Sequence, residues 1–173
     1  MLDLAFKHRE ALQQKYLKVA LNSDRYKYSV ATNWLSYELK LDDNNWNKLE
    51  FVSINSQNEI IGFLKCDINR AVHYAHNLRI INFEEKPNFL FSKDLKEFII
   101  DILFLKFRFN KLQFTCVVGN PIEKTYDRLI AKYGGRIVGI YEKDVRLIDN
   151  KIYDLKLYEI TREVVLSKLS KRR

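Results

Sequence analysis

Apolar positions near the start of the chain recur at helical spacing. Ala5, Leu12, Tyr16 and Val19 lie seven, four and three apart, which predicts a helix over Asp3–Leu21, ended by Asn22-Ser23-Asp24. Tyr28, Ala31, Leu35 and Leu39 suggest a second helix within Arg25–Asn45. The period then changes to that of strands: Lys48–Asn55, a turn at Ser56-Gln57-Asn58, Glu59–Ile68 as the other arm of a hairpin, and His76–Glu84 as a third strand. After Pro87 a helix is expected, with Ser92 as its cap, Asp94 in its first turn, and Leu95, Phe98, Ile99, Ile102 and Leu103 along one face. Lys111–Val118 is β-branched and aromatic, as strands are. Gly119-Asn120-Pro121 breaks it and opens a helix whose stripe is Ile122, Tyr126, Leu129, Ile130 and Tyr133, stopped by Gly134-Gly135. Two long strands, Arg136–Leu147 and Lys151–Ile160, flank the turn Ile148-Asp149-Asn150, and a short basic helix follows from Thr161.

The order is therefore α-α-β-β-β-α-β-α-β-β-α. Strand, helix, strand across residues 76–118 implies one parallel pairing; the other neighbours read as antiparallel, so the class is α+β with helices on both faces of a mixed sheet. No linker, repeat or composition shift divides the chain. A single domain over 1–173 is expected, with N-terminal helices in 1–46, a core in 47–160 and a basic helix and tail in 161–173.

Composition narrows the function classes. The 173 residues are 47% hydrophobic and 30% charged, a globular balance that argues against disorder. Scarce glycine (5) and proline (2) exclude collagen-like and low-complexity readings. The net charge of +8, with the tail Ser167-Lys-Leu-Ser-Lys-Arg-Arg173, favours anionic partners: a phosphate-bearing cofactor, nucleic acid or an acidic protein patch. Cys66 and Cys116 lack a CxxC and sit among apolar neighbours, as buried thiols of a reducing cytoplasm do. With His8, His73 and His76 they do not supply the spacing of a metal site. No leader pattern opens the chain, and no stretch reaches the roughly 20 apolar residues of a membrane span. A cytoplasmic protein without membrane association is expected.

The run Val117-Val-Gly-Asn-Pro-Ile-Glu-Lys-Thr-Tyr126, then Lys132-Tyr-Gly-Gly-Arg-Ile-Val-Gly139, then Tyr153-Asp154 with Tyr158-Glu-Ile160, carries a resemblance. Set in this order of elements from Phe51 to Ile160, it resembles the GNAT superfamily of N-acetyltransferases. The resemblance implies a mostly antiparallel sheet whose two middle parallel strands splay, and an acetyl-CoA co-substrate. The pantetheine arm would pair with backbone of Ile81, Asn82 and Phe83, and the pyrophosphate would meet the next helix at Phe91, Ser92, Lys93 and Asp94, with help from Lys86 and Lys96. The family's loop has Gln or Arg, then Gly and Gly or Ala at alternate positions; Asn88-Phe-Leu-Phe-Ser-Lys93 stands in its place, without glycine.

The same resemblance implies Tyr126 as the general acid for the leaving thiolate, or Tyr133, because Tyr126 lies eight residues before Gly134. Tyr126 also reads as a packed stripe residue. Asn120 would contact pantetheine or cap a helix. Glu84, with Glu85, would supply the general base or be a solvated strand end; His73 and His76 are other bases by intrinsic pKa. Cys116 reads as a core thiol, not a nucleophile. Asp154 would orient substrate, or pair with Lys151 or Arg146. The implied function is acyl-CoA-dependent N-acetyl transfer to an unidentified primary amine. The alternative is a GNAT-shaped, non-catalytic binding protein that has lost CoA and associates with nucleic acid.

Overall fold

Pairing with a neighbouring strand, not helix formation, claims the first residues of the chain. In the computed structural model, which describes residues 1–20, 28, 39, 41, 46–86 and 88–171, β1 (Leu2–Leu4) lies antiparallel to β2 (Lys48–Ile54), Leu2 opposite Ser53 and Leu4 opposite Phe51. The Asp3 carboxylate accepts hydrogen bonds from the Leu4 amide (2.8 Å) and Lys7 (2.9 Å), and it contacts His8. A short polar side chain that bonds its neighbours' donors competes with helix at this point. A single 3-10 turn, Ala5–His8, follows, and α1 begins only at Arg9, running to Ala20 with Leu12, Tyr16 and Ala20 buried. The helix predicted over Asp3–Leu21 is shorter by its first two turns. The one predicted within Arg25–Asn45 lies outside the described residues apart from Tyr28, Leu39 and Leu41.

The predicted hairpin forms between β2 and β3 (Ile60–Asn69), with Asn55 Oδ1 accepting from the amides of Gln57 and Glu59 across the turn. β4 (Tyr74–Asn82) follows antiparallel to β3, two residues earlier than the expected His76–Glu84. α2 (Phe89–Lys96) continues into a π-helical stretch, Glu97–Lys106. The wider turn alters which side chains face inward: Phe98 and Leu103, and Ile99 and Phe104, each five apart, are buried, and Ile100 is buried where Ile102 was expected. β5 (Lys111–Val117), α3 (Glu123–Tyr133), β6 (Arg136–Arg146), β7 (Ile152–Thr161) and α4 (Arg162–Ser170) complete the chain. Gly134 ends α3 in the left-handed conformation (φ 82°), its amide bonded to the Ile130 carbonyl.

The seven strands form one sheet in the order β1-β2-β3-β4-β5-β7-β6, antiparallel at every step except β4–β5. One face carries the main core, where Phe98, Phe104, Phe114, Leu103 and Tyr158 pack beneath α2, α3 and α4. The other carries a smaller cluster of Ala5, Leu12, Val52, Ile54, Ile60 and Phe63 under α1. The fold class expected from the sequence, a mixed, mostly antiparallel sheet between helices, is the one observed. Among the described residues no helix is long and apolar enough to cross a membrane.

Candidate functional site

The two parallel strands in the middle of the sheet touch for only two pairs, Ala75 with Leu112 and His76 with Gln113. Beyond them β4 stays with β3 and β5 stays with β7, so the sheet opens along its middle. The local cause lies at Asn77, the next residue of β4, whose φ is 53°. Few side chains accept that left-handed conformation, asparagine being one. Its side-chain amide donates to Asp67 Oδ2 (2.9 Å), where the β3–β4 register also shifts. The twist releases the rest of β4 from β5.

The opening is a cleft of about 680 Å³. Leu78–Asn82 of β4 form one wall, Thr115–Val117 of β5 the other, and Asn120, Pro121, Ile122 and Tyr126 close the end where β5 turns into α3. Tyr16 and Val19 of α1, with Tyr28, border it from the second face. Neither Phe89 nor Phe91 lines it: Phe89 points to solvent and Phe91 is buried against Gly62 of β3.

The polar edge of β4 follows from its register. The Phe83 amide donates to the Ile61 carbonyl (3.0 Å). Alternation in an antiparallel pair sends the backbone groups of Ile81 the same way and turns those of Ile80 and Asn82 toward the gap. Of the three residues expected to meet a pantetheine arm, Asn82 presents its backbone to the cleft, whereas Ile81 and Phe83 present theirs to β3. The Asn82 side chain also shapes the following loop, accepting from the Glu84 amide (3.0 Å) and donating to the Lys86 carbonyl (3.3 Å).

At the start of α2, Asn88 is the cap where Ser92 was expected. Its Oδ1 accepts from the amides of Leu90 (2.8 Å) and Phe91 (3.3 Å). Ser92 sits within the first turn, its amide and hydroxyl both bonded to the Asn88 carbonyl. Asp94 is buried and turned away: it accepts from the Ser53 hydroxyl (2.6 Å) and pairs with the Met1 amino group (2.9 Å). Lys93 and Lys86 are exposed beside the helix start.

Tyr126 is 3% exposed, edge-on to Phe114 (4.8 Å between ring centroids) and tilted against Tyr158 (5.8 Å). It lines the cleft, and among the described residues its hydroxyl has no hydrogen-bond partner. Burial pushes its phenol well above the usual range, with Cys116 and Tyr158 adding to the effect. Tyr133 is equally buried but does not line the cleft. The Cys116 thiol lies in the β5 wall and is pushed up to about 12, chiefly by burial, so it is no thiolate nucleophile. The Asn120 side chain accepts from the Ile122 amide (3.2 Å) in the turn before α3, and the residue borders the cleft.

An ionic cluster fixes the turn beneath them. Glu123 accepts from the Gly119 amide (2.9 Å) and from Lys156 (2.8 Å). Lys156 also donates to Asp127 (2.9 Å), which accepts from the Tyr158 hydroxyl (3.0 Å). Tyr28 donates to the Gly119 carbonyl (2.9 Å). Gly119 takes φ 87°, a conformation that suits glycine.

Glu84 and Glu85 line the outer part of the cleft, past the end of β4. His73 and His76 lie at the other, paired end of the strand and do not line it. Asp154 pairs with neither Lys151 nor Arg146: its carboxylate accepts from the Lys143 amide (2.8 Å) at the irregular part of β6, and Arg146 bonds Asn150. In the sequence Tyr16 and Tyr28 read as helix positions, Tyr28 within the segment expected to shape an acceptor pocket, and Arg79 only as part of a strand, because the pairing of distant segments brings them to the opening.

No family model and no curated protein matches the sequence. Solved structures do match. A spermidine N-acetyltransferase from Vibrio cholerae in complex with CoA and spermine superposes with a TM-score of 0.68 at 18% identity, covering 89% of this chain and 92% of that one. A spermidine N-acetyltransferase K23-Y30 chimera from Vibrio cholerae and hSSAT gives 0.60 at 22% identity over 71% and 73%. A putative acetyltransferase gives 0.58 at 19% identity over 75% and 66%. At these identities the likeness is one of fold: the chain has the fold of the GNAT superfamily, to which these neighbours belong.

Proposed function

We propose that the protein is an acyl-CoA-dependent N-acyltransferase that moves an acetyl group from acetyl-CoA to a primary amine. The observation that carries this is the parting of β4 from β5 after two residue pairs, with the Tyr126 hydroxyl, unpartnered among the described residues, at the wall of the opening. A narrow slot with a polar strand edge on one side suits an extended pantetheine arm, whose amides would pair with the backbone of Ile80 and Asn82. At the start of α2 the fit is looser. The Asn88 side chain already holds two of the amides that a diphosphate would use, so Lys86 and Lys93 with the Phe89 amide carry that contact.

In the reaction, the neutral amine nitrogen attacks the thioester carbonyl carbon, the C–S bond breaks, and the thiolate takes its proton from the Tyr126 hydroxyl. The phenol is protonated at neutral pH and so can donate as negative charge develops on sulfur. The ammonium proton passes to Glu84, through water, toward the mouth of the cleft. Titration calorimetry with acetyl-CoA tests the reading: binding in the micromolar range is expected, and no heat at high micromolar ligand overturns it.

A further inference from the structure

Arg79 is a half-buried guanidinium in the wall of the cleft that has no carboxylate partner among the described residues. It makes one hydrogen bond, to the Tyr16 hydroxyl (3.2 Å), and lies over that ring at 5.6 Å. Its cross-strand neighbour on β3 is Lys65, another cation, and Lys65 takes Glu50 for itself (3.1 Å). Like charges set directly opposite oppose sheet formation, and a guanidinium removed from water without a counterion is costly. Five donors with one acceptor used leave a fork shaped for a carboxylate. The two acidic residues of the cleft do not neutralise it: Glu84 and Glu85 lie past the end of β4, and neither forms an ion pair or hydrogen bond with Arg79. Arg79 instead lies two residues beyond Asn77, in the narrow end of the opening where the strands have just parted.

Resting on the transferase reading above, we infer that Arg79 binds a carboxylate of the substrate close to the reacting carbonyl. The amine acetylated is thus of the amino-acid class. A polyamine, which carries positive charge alone, meets an uncompensated guanidinium there. Tyr16 holds Arg79 toward α1, across the sheet from Tyr126, so the carboxylate belongs to the acceptor and not to the acyl chain.

Thiol release from acetyl-CoA is measured with the twenty amino acids, their matched α-carboxamides and spermidine, and a second arm compares succinyl-CoA with acetyl-CoA. The expected result is a preference of about tenfold to hundredfold in kcat/KM for the carboxylate over its matched amide, the range of a charge-assisted hydrogen bond. The preference vanishes in Arg79→Met and returns in part in Arg79→Lys. A preference for succinyl-CoA that Arg79→Met abolishes places the carboxylate on the acyl group and overturns its assignment to the acceptor. Equal use of acid and amide with no succinyl preference, a preference for spermidine, a preference that survives Arg79→Met, or no turnover in either arm overturns the inference. Calorimetry of acetyl-CoA on the same protein reports separately on the donor reading, so the two failures are told apart.

Discussion

Replacing Tyr126 by phenylalanine separates chemistry from packing at the wall of the cleft. The ring keeps its contacts with Phe114 and Tyr158 and loses one atom, the hydroxyl. That hydroxyl is part of a side chain 3% exposed and has no hydrogen-bond partner among the described residues. The hydroxyl borders the cleft, where water reaches it, so its loss is nearly neutral for folding. Tyr126→Phe is therefore expected to change stability by less than about 1 kcal/mol, a Tm shift within roughly 2–4 °C for a chain of this size. Its kcat for acetyl transfer should fall by about 10²–10³, the usual contribution of a positioned proton donor. Thermal melting followed by circular dichroism, together with thiol release at saturating acetyl-CoA, reads both quantities. A Tm lowered beyond that range with unchanged kcat refutes the reasoning: the hydroxyl would then be a structural group already satisfied in the fold, and not a donor facing substrate.

Three further outcomes follow from the same geometry. Asn77→Val places a β-branched residue at φ 53° and removes the bond to Asp67; urea denaturation should show a loss of about 2–3 kcal/mol, and Asn77→Gly a smaller one. Gly62→Ala would drive a Cβ into the ring of the buried Phe91, so it should cost about 1–3 kcal/mol by overpacking, measured as a shift in the urea midpoint. Lys156 holds Glu123 and Asp127 below their ordinary values of 4.5 and 3.8. The unfolded chain then binds more protons in acid, so wild-type stability falls as pH drops below about 4.5, and Lys156→Met should flatten that slope. Asp127 is substantially exposed, so the effect is modest, and equal slopes in the two proteins would contradict the assignment.

Much of the scaffold was legible because its signals are local. The turn at Asn55–Glu59, the stop at Gly134 and the β6–β7 hairpin rest on a few neighbouring residues, and each stands where the pattern placed it. The first helix and the cap of α2 were misplaced for a related reason: Asp3 and Ser92 are both good caps, and the choice depends on β2, which recruits residues 2–4, and on Asn88, which reaches two amides first. The π-helical turn left no trace in a pattern read at a period of 3.6. At the site, Tyr126 and Asn120 were found because they lie on the strand–turn–helix unit that carries the resemblance. Asn77 and Arg79 were not. The parting of the strands turns on one backbone angle, and the unpaired state of Arg79 depends on Lys65 claiming Glu50 from a third strand. Asp94 looked available for a phosphate because its burial against Ser53 joins segments forty-one residues apart.

Hydrogen exchange of the protein with and without saturating acetyl-CoA tests the opening between β4 and β5 most directly as the seat of the acyl donor. Protection confined to peptides spanning residues 78–86 and 114–122 is the predicted result. Unchanged exchange in both peptides, or protection centred instead on the surface around Lys111 and Arg162, would contradict it.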